Sequence, residues 1–579
     1  MKMNRKTFGT ILSAVLLSCA TASATDLKAP KNFVVIFADD FGFGDLGCYN
    51  ELFQGDDAYS LAHEFTPNLD QLGREGVRFM QTYAASWCAP SRTSLLSGRW
   101  CNRADVMERP WIGKQLRDRG YTTAFVGKSH GTISKGMDDN PATGGFNDAF
   151  LYNSGMRKFY MSKGETLPRR VGFKSDPFVA EGGEYITDLF TDFGADFITR
   201  SVKADKPFFL YLAYTAPHTP LDGKLEDLQE MYPGEFDGIE KEDWIELINA
   251  KKSRDFEPMS PEVHKRCKQT GVRPSAPGWS KETSLAYTRA KAMGKKKFND
   301  RNYAALTFGM DRGIGKIMQT LKEAGVDENT MVIFTSDNGS ISGSNYPLQN
   351  FKSSHFEGGI RVPMIFWSKP IAGSEASGRI VDEITPTVCI APTLVGIVDN
   401  RDKRDFPFDG INLWPHLAQN SPVPDDQVYF FANSKSSMNK ASGVYRDQQY
   451  RVPDAKRGFE GMMFGGLNYW DRDSICNVVY IKGKDKLVYW STLDGKGRGA
   501  VYRELPTGAR SSENPKALFQ EEVVIDGQFP GSGRGAELLE EFVEYVQGKG
   551  VDELRESAVF NAADVKRLKP VRDRVNTKP

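Results

Sequence analysis

A short run of consecutive apolar residues, an abrupt polar end and then a stretch of helical periodicity recur along this chain, and this unit most limits what it can fold into. KNFVVIFADD (31–40) shows it plainly: no polar residue separates Asn32 from Asp39. Runs of this kind suit strands buried on both faces. TPNLDQLGREG (66–76) follows, where Thr66 can cap a helix, Pro67 suits its first turn and Gly76 can end it. VRFMQTYAAS is strand-like and precedes a helix with Pro90 in its first turn. WIGKQLRDRG feeds YTTAFVGKSH, YITDLFTDFGADFITRSV feeds PFFLYLAYTAPH, and NYAALTFGMDRGIGKIMQTLKEAG feeds NTMVIFTSDNG. The alternation predicts an α/β fold, a mostly parallel sheet sandwiched by helices.

The chain has 579 residues, of which 40% are hydrophobic, enough to bury a large core and to bring residues hundreds of positions apart into one site. After about residue 420 the pattern changes. QVYFFANS, SICNVVYIKG and KLVYWSTL read as short antiparallel strands, and GAELLEEFVEYVQGKG as a helix. The expected organisation is a main domain over 25–420 and a smaller C-terminal α+β domain over 421–579. Residues 222–300, rich in Lys, Pro and Glu, read as a polar surface excursion, a solvated loop that could wall a pocket.

Lys2, Arg5 and Lys6, then ILSAVLL, then Ala22-Ser23-Ala24 read as a signal peptide over 1–24, so the protein is expected in the periplasm or secreted. Lipid attachment at Cys19 in LLSC is the alternative. No later segment is apolar enough to span a membrane. Export permits disulfides, but Cys19, Cys48, Cys88, Cys101, Cys267, Cys389 and Cys476 are scattered with no CxxC or zinc spacing, and no pairing is assigned. With 75 basic and 75 acidic residues the net charge is zero, so no global field favours nucleic acid or an anionic membrane. Anion selectivity must come from a local cluster.

In sheets of this type ligands gather beyond the carboxyl ends of strands. Asp39 and Asp40 follow FVVIFA, Lys128 and His130 follow TTAFV, His218 follows FFLYLAYTAP, and Asp337 and Asn338 follow MVIFTS. Each group alone fits a polar turn; four at matching strand ends argue for one site. Asp39, Asp40, Asp337 and Asn338 offer only oxygen, which favours calcium or magnesium over zinc. The helix start near Pro90 suits an anion, and Arg92, Lys128 and Lys352 could add positive charge.

SWCAPSRTSLLSGR (86–99) raises the question of why an exported chain would place a thiol at a helix start. CAPSRTSLLSGR resembles the signature of the sulfatases that convert a cysteine to formylglycine, whose core is Cys-x-Pro-Ser-Arg. NFVVIFADDFGFGDLGCY, GKSH, APHTPL, TSDNG and KSSHFEGGIRVP resemble the family's other landmarks in the same order, through most of 30–415. The resemblance implies an alkaline-phosphatase-like fold with a smaller C-terminal domain and hydrolysis of sulfate esters. It implies that a maturation enzyme converts Cys88 to formylglycine, which acts as a hydrated aldehyde. Asp39, Asp40, Asp337 and Asn338, with residue 88, would hold calcium, magnesium being second choice. Arg92 would steady residue 88. Lys128, His218 and Lys352 would contact the sulfate or leaving oxygen, and His130 would assist turnover of the hydrate. GKSHGT lacks the Trp and Leu of the family's GKWHLG, and CYN replaces CYG at 48–50; neither change removes a reacting group. Sulfated carbohydrate is the expected substrate, because an exported protein with a polar excursion by its pocket suits an extended hydrophilic ligand. The alternatives are a formylglycine-type phosphonate or phosphodiester hydrolase on the same fold and a non-catalytic glycan-binding relative. A two-zinc phosphatase would want more histidines than the six present.

Overall fold

Residues 32–38 lie at the centre of the molecule as strand β1 (Asn32–Ala38), every residue of it buried. A computed structural model of the chain describes residues 27–53, 62–101, 110–130, 145–155, 157–256, 289, 292–348, 351–352, 357–399, 408–434, 474–483, 485–492, 497–502, 537–538 and 541. The expected signal peptide lies outside these residues. So does the expected C-terminal helix, apart from Glu537, Leu538 and Glu541. Among the described residues no helix is long and apolar enough to cross a membrane.

In chain order β1 is followed by α1 (Pro67–Glu75), β2 (Val77–Tyr83), α2 (Cys88–Ser97), α3 (Ile112–Arg117), β3 (Thr122–Lys128) and β4 (Asp148–Tyr152). A small antiparallel extension, β5 (Arg169–Val171) and β6 (Lys174–Ser175), precedes α4 (Ile186–Lys203) and β7 (Phe208–Ala213). Then come α5 (Leu225–Met231), α6 (Lys241–Phe256), α7 (Lys295–Glu323) and β8 (Thr330–Ser336). The short α8 (Glu357–Ile360), β9 (Arg361–Ser368), β10 (Ile380–Ile384) and α9 (Ile390–Asp399) complete the main body.

Ten strands form one sheet in the order β10-β2-β9-β8-β1-β7-β3-β4-β5-β6. The central pairs β1–β8, β1–β7, β3–β7 and β3–β4 are parallel. β9 enters antiparallel to both β8 and β2. Alternate residues of β1 feed two cores. Val34, Ile36 and Ala38 pack on one face with α1, α4 and α7, and Phe33, Val35 and Phe37 pack on the other with α2, α3 and α9. That double burial is why the strand reads as an unbroken apolar run. The sheet is the expected mixed, mostly parallel, alkaline-phosphatase-like one.

Register sets where the polar ends fall. Ala38 pairs with Ser336, Phe37 with Ala213, and Gly127 with Ala213. The residues that follow β1, β3, β7 and β8 therefore emerge along one edge. Gly127 shows how tightly two of these strands meet. Its φ is +109°, and a Cβ there would lie 1.8 Å from the Ala213 carbonyl oxygen, which belongs to backbone and cannot swing aside. Gly127→Ala is expected to cost about 1–3 kcal/mol or more, read as a lower denaturant midpoint at unchanged m-value.

The expected solvated loop over 222–300 is corrected by the structure where it is described. Residues 225–231 and 241–256 are helical, and Leu225, Leu228, Phe236, Trp244 and Ile248 are buried. Trp244 Nε1 donates to the Gly223 carbonyl at 2.9 Å. Trp244 and Ile248 stand four apart, one helical face, but the surrounding charges mask that stripe in a window average. Residues 257–288 lie outside the described set. Beyond residue 428, β11 (Val428–Ser434), β12 (Ser474–Lys482), β13 (Asp485–Thr492) and β14 (Gly497–Tyr502) form a separate antiparallel sheet in that order.

Candidate active site

Asp39 and Asp40 leave β1 where the chain turns sharply. Asp40 has φ 61°, a left-handed conformation that costs energy for a non-glycine residue. Both of its backbone polar groups are held: its N–H donates to Asp337 Oδ1 at 3.0 Å, and its carbonyl accepts from Tyr303 Oη at 3.2 Å. Tyr303 Oη also donates to Asp45 Oδ2 at 2.5 Å, and Asp45 Oδ1 accepts from the Ser344 N–H. Asp45 and Tyr303 are thus part of the support for this turn. Asp45 lies inside the FGFGDLGCY stretch, but nothing local marks Tyr303, on a helix 258 residues away.

Cys88 opens α2, with Trp87 as the preceding cap residue and Pro90 in the first turn, as expected. Ser91 Oγ donates back to the Ala85 and Trp87 carbonyls and pins the approach. Arg92, one turn on, reaches under the site. It donates to Asp337 Oδ2 and to the Lys128 carbonyl, both at 3.0 Å, and lies over the Phe37 ring. Lys128, the last residue of β3, donates to Asp39 Oδ2 at 2.5 Å and to the Gly155 carbonyl at 2.8 Å. Lys352 Nζ donates to Asp40 Oδ1 at 2.5 Å and lies 3.1 Å from both Cys88 Sγ and His218 Nε2. Asn338 Nδ2 donates to Asp40 Oδ1 at 2.7 Å.

Nine of the ten expected residues therefore meet in one hydrogen-bonded network: Asp39, Asp40, Cys88, Arg92, Lys128, His218, Asp337, Asn338 and Lys352. His130 stands at its border. It follows the same strand end and has φ 28°, but its Nδ1 is buried without a hydrogen-bond partner. Burial, followed by the nearby Lys128, Arg92 and Lys352 charges, pushes His130 down to about 2.

Three features bear on chemistry. Burial pushes the Cys88 thiol up to about 12 even though Lys128 and Lys352 pull the other way. An unmodified thiol here is a poor nucleophile at neutral pH, because the thiolate is the reactive form. Second, burial pulls His218 down to about 3, which the Asp40 carboxylate only partly offsets. The neutral ring has Nδ1 at 2.5 Å from the Thr219 carbonyl, so the network assigns the proton to Nδ1 and leaves Nε2 to accept from Lys352. His218 in this state is a proton relay fed by Lys352.

Third, the oxygens fit a hard cation. Asp39 Oδ1, Asp40 Oδ2 and Asn338 Oδ1 are buried and accept no hydrogen bond. The nearest cationic groups are Arg92, 3.7 Å from Asp39 Oδ1, and His218 Nε2, 3.4 Å from Asp40 Oδ2. One ligand atom each from Asp39, Asp40, Cys88 and His218 lies within 4.8 Å of the others. Burial, then the crowding of Asp39, pushes the Asp337 carboxyl up to about 6 against the pull of Arg92. Buried carboxylates with open lone pairs are where a dication relieves repulsion. Three carboxylates (Asp39, Asp40, Asp337) already face three fixed cations (Arg92, Lys128, Lys352), so an added dication leaves a positive site suited to an anion.

A family model described as Sulfatase matches residues 31–400. Among curated relatives, the uncharacterized sulfatase YdeN of Escherichia coli (strain K12) is 26% identical over 451 residues, covering 70% of this chain and 69% of its own. The N-acetylgalactosamine-6-sulfatase of Rattus norvegicus is 24% identical over 469 residues, covering 74% of each chain. Among solved structures, Ps i-CgsB in complex with k-i-k-neocarrahexaose superposes with TM-score 0.60 at 18% identity, covering 95% of this chain and all of that one. A structure determined with its substrate D-glucosamine-2-N,6-O-disulfate gives TM-score 0.58 at 18% identity, covering 92% of this chain and all of that one. The buried thiol at a helix start, the oxygen cluster at the strand ends and a family match over most of the chain converge: this chain belongs to the sulfatase family and is a sulfuric ester hydrolase.

Proposed function

We propose that this sulfatase removes sulfate from sulfated carbohydrate outside the cytoplasm, with Cys88 converted to formylglycine by a maturation enzyme and with calcium held by Asp39, Asp40, Asp337, Asn338 and residue 88. The observation that carries this reading is the state of Cys88. It is buried among carboxylates and lysines as a thiol held far above neutrality, a poor nucleophile as it stands, yet it occupies the centre of the cluster. Its Sγ stands in for an oxygen of the matured residue. Hydrated formylglycine supplies one hydroxyl to attack sulfur and a second whose deprotonation restores the carbonyl and frees sulfate. Calcium, when bound, supplies Lewis acidity toward the attacking hydroxyl and the sulfate oxygens.

The remaining work falls to the chain's own side chains. Lys128 and Lys352 lie on two sides of residue 88 and would neutralise charge on the transferring sulfuryl group. Arg92, fixed by Asp337 and the Lys128 carbonyl, holds α2 against the strand ends. The Lys352–His218 contact is a route by which a proton could reach the departing alcohol oxygen. His130 offers a neutral ring nitrogen at the edge of the site, suited to taking the proton of the second hydroxyl. The polysaccharide preference draws support from the sugar ligands named for the two solved relatives.

The test is turnover of defined sulfated oligosaccharides and of a phosphate ester matched to one sulfate ester, with mass analysis of the residue-88 peptide. The sulfate ester should be cleaved faster, residue 88 should carry the aldehyde, and chelation should stop turnover until calcium, but not zinc, is returned. Faster cleavage of the phosphate ester, or full activity with an unmodified Cys88, would overturn the proposal.

A further inference from the structure

The C-terminal sheet touches the two segments that carry residue 88 and Lys352. Tyr429 on β11 pairs with Ile481 on β12, and Ile481 pairs with Lys486 on β13. Residues directly opposite in antiparallel strands share a face, so Tyr429 and Lys486 project from one row of the sheet. Tyr429 stacks against Tyr83, the last residue of β2, with centroids 5.1 Å apart, and its hydroxyl donates to the Ala84 carbonyl at 2.7 Å. Trp100, just beyond α2, meets the same ring edge-on. Lys486 Nζ donates to Glu357 Oε1 at 2.7 Å, with both side chains essentially excluded from solvent. The other oxygen of Glu357 accepts from Tyr83 Oη at 3.0 Å and lies 3.5 Å from Arg361.

Tyr83 stands five residues before Cys88, and Glu357 five residues after Lys352. The two arms are joined at one end through Tyr83 and Glu357 and meet at the other end where Lys352 Nζ lies 3.1 Å from Cys88 Sγ. We propose that Lys486 and Tyr429 form a brace, and that Lys486 is a positioning residue that sets the approach of Lys352 to residue 88 through Glu357. This rests on the reading that residue 88 and Lys352 act together in sulfuryl transfer. The four-stranded sheet is then a working part of the site, contributing no atom to it but fixing the register of two arms that do. Buried ion pairs of this sort often add little net stability, which leaves geometry as the role the pair can serve.

The test compares wild type, Lys486→Met and the double variant Lys486→Met/Glu357→Gln, using kcat, KM and Tm on one sulfate ester. Displacing reacting groups by even an ångström can cost about 10²-fold. Lys486→Met should lower kcat about 10- to 100-fold with KM little changed. The double variant leaves no buried charge unpaired, so it should recover most of the lost Tm while kcat stays low. If Lys486→Met does not accumulate folded, the double variant alone decides. A kcat within twofold of wild type in the single variant, or recovery of kcat together with Tm in the double, overturns the brace. An inactive, fully matured wild type, or a Cys88→Ala variant as fast as wild type, overturns the proposed chemistry and the brace with it.

Discussion

Replacing Cys88 with alanine is expected to lower kcat for a sulfate ester roughly 10⁴-fold or more, the scale seen when a nucleophile is removed from a working constellation. Stability should change little. The substitution removes one buried sulfur, and Lys352, which approaches that sulfur at 3.1 Å, keeps Asp40 as its ion-pair partner. Activity and folding therefore separate in this variant. Assay of purified protein beside a thermal melt checks it. A variant with an unchanged melt and substantial turnover would mean that residue 88 does not react with sulfur.

Lys352→Ala should cost about 10²- to 10³-fold in kcat, the size of loss found when a preorganised donor is removed from a developing anion. Its ammonium is buried and bridges Cys88, Asp40 and His218. Deleting it takes away charge stabilisation and the donor to His218 Nε2 together. Lys352→Arg should rescue poorly, since a planar fork cannot replace a compact point charge directed at three neighbours. The defect should shrink for an aryl sulfate whose leaving group needs no proton. An equal loss on activated and unactivated esters would show that Lys352 stabilises charge without feeding protons to the leaving oxygen.

Asp39, Asp40, Lys128, His218, Asp337 and Asn338 were legible because each follows a strand marked by its own apolar run, and parallel strands end at one edge. Cys88 and Arg92 were legible from the local pattern CAPSR at the start of a helix. Lys352 was not marked by any strand end and came forward only as a basic residue in a stretch that resembles a family landmark. The helices within 222–256 were hidden because Trp244 and Ile248 sit among charged neighbours, and periodicity was read there as composition. The antiparallel insertion of β9 between β8 and β2 had no local signature, since strand order is decided by pairing rather than by the strand itself.

The amino-acid sequence alone determined the alternating α/β layers, the buried edge where polar residues emerge, and the thiol at a helix start, because these depend on residues close in the chain. Only the tertiary structure decided which lone pairs remain open for a cation, which tautomer His218 holds, and that Tyr303 and Lys486 support the site. Those properties depend on atoms contributed from segments 129 to 312 residues apart, and no local period encodes such a partner.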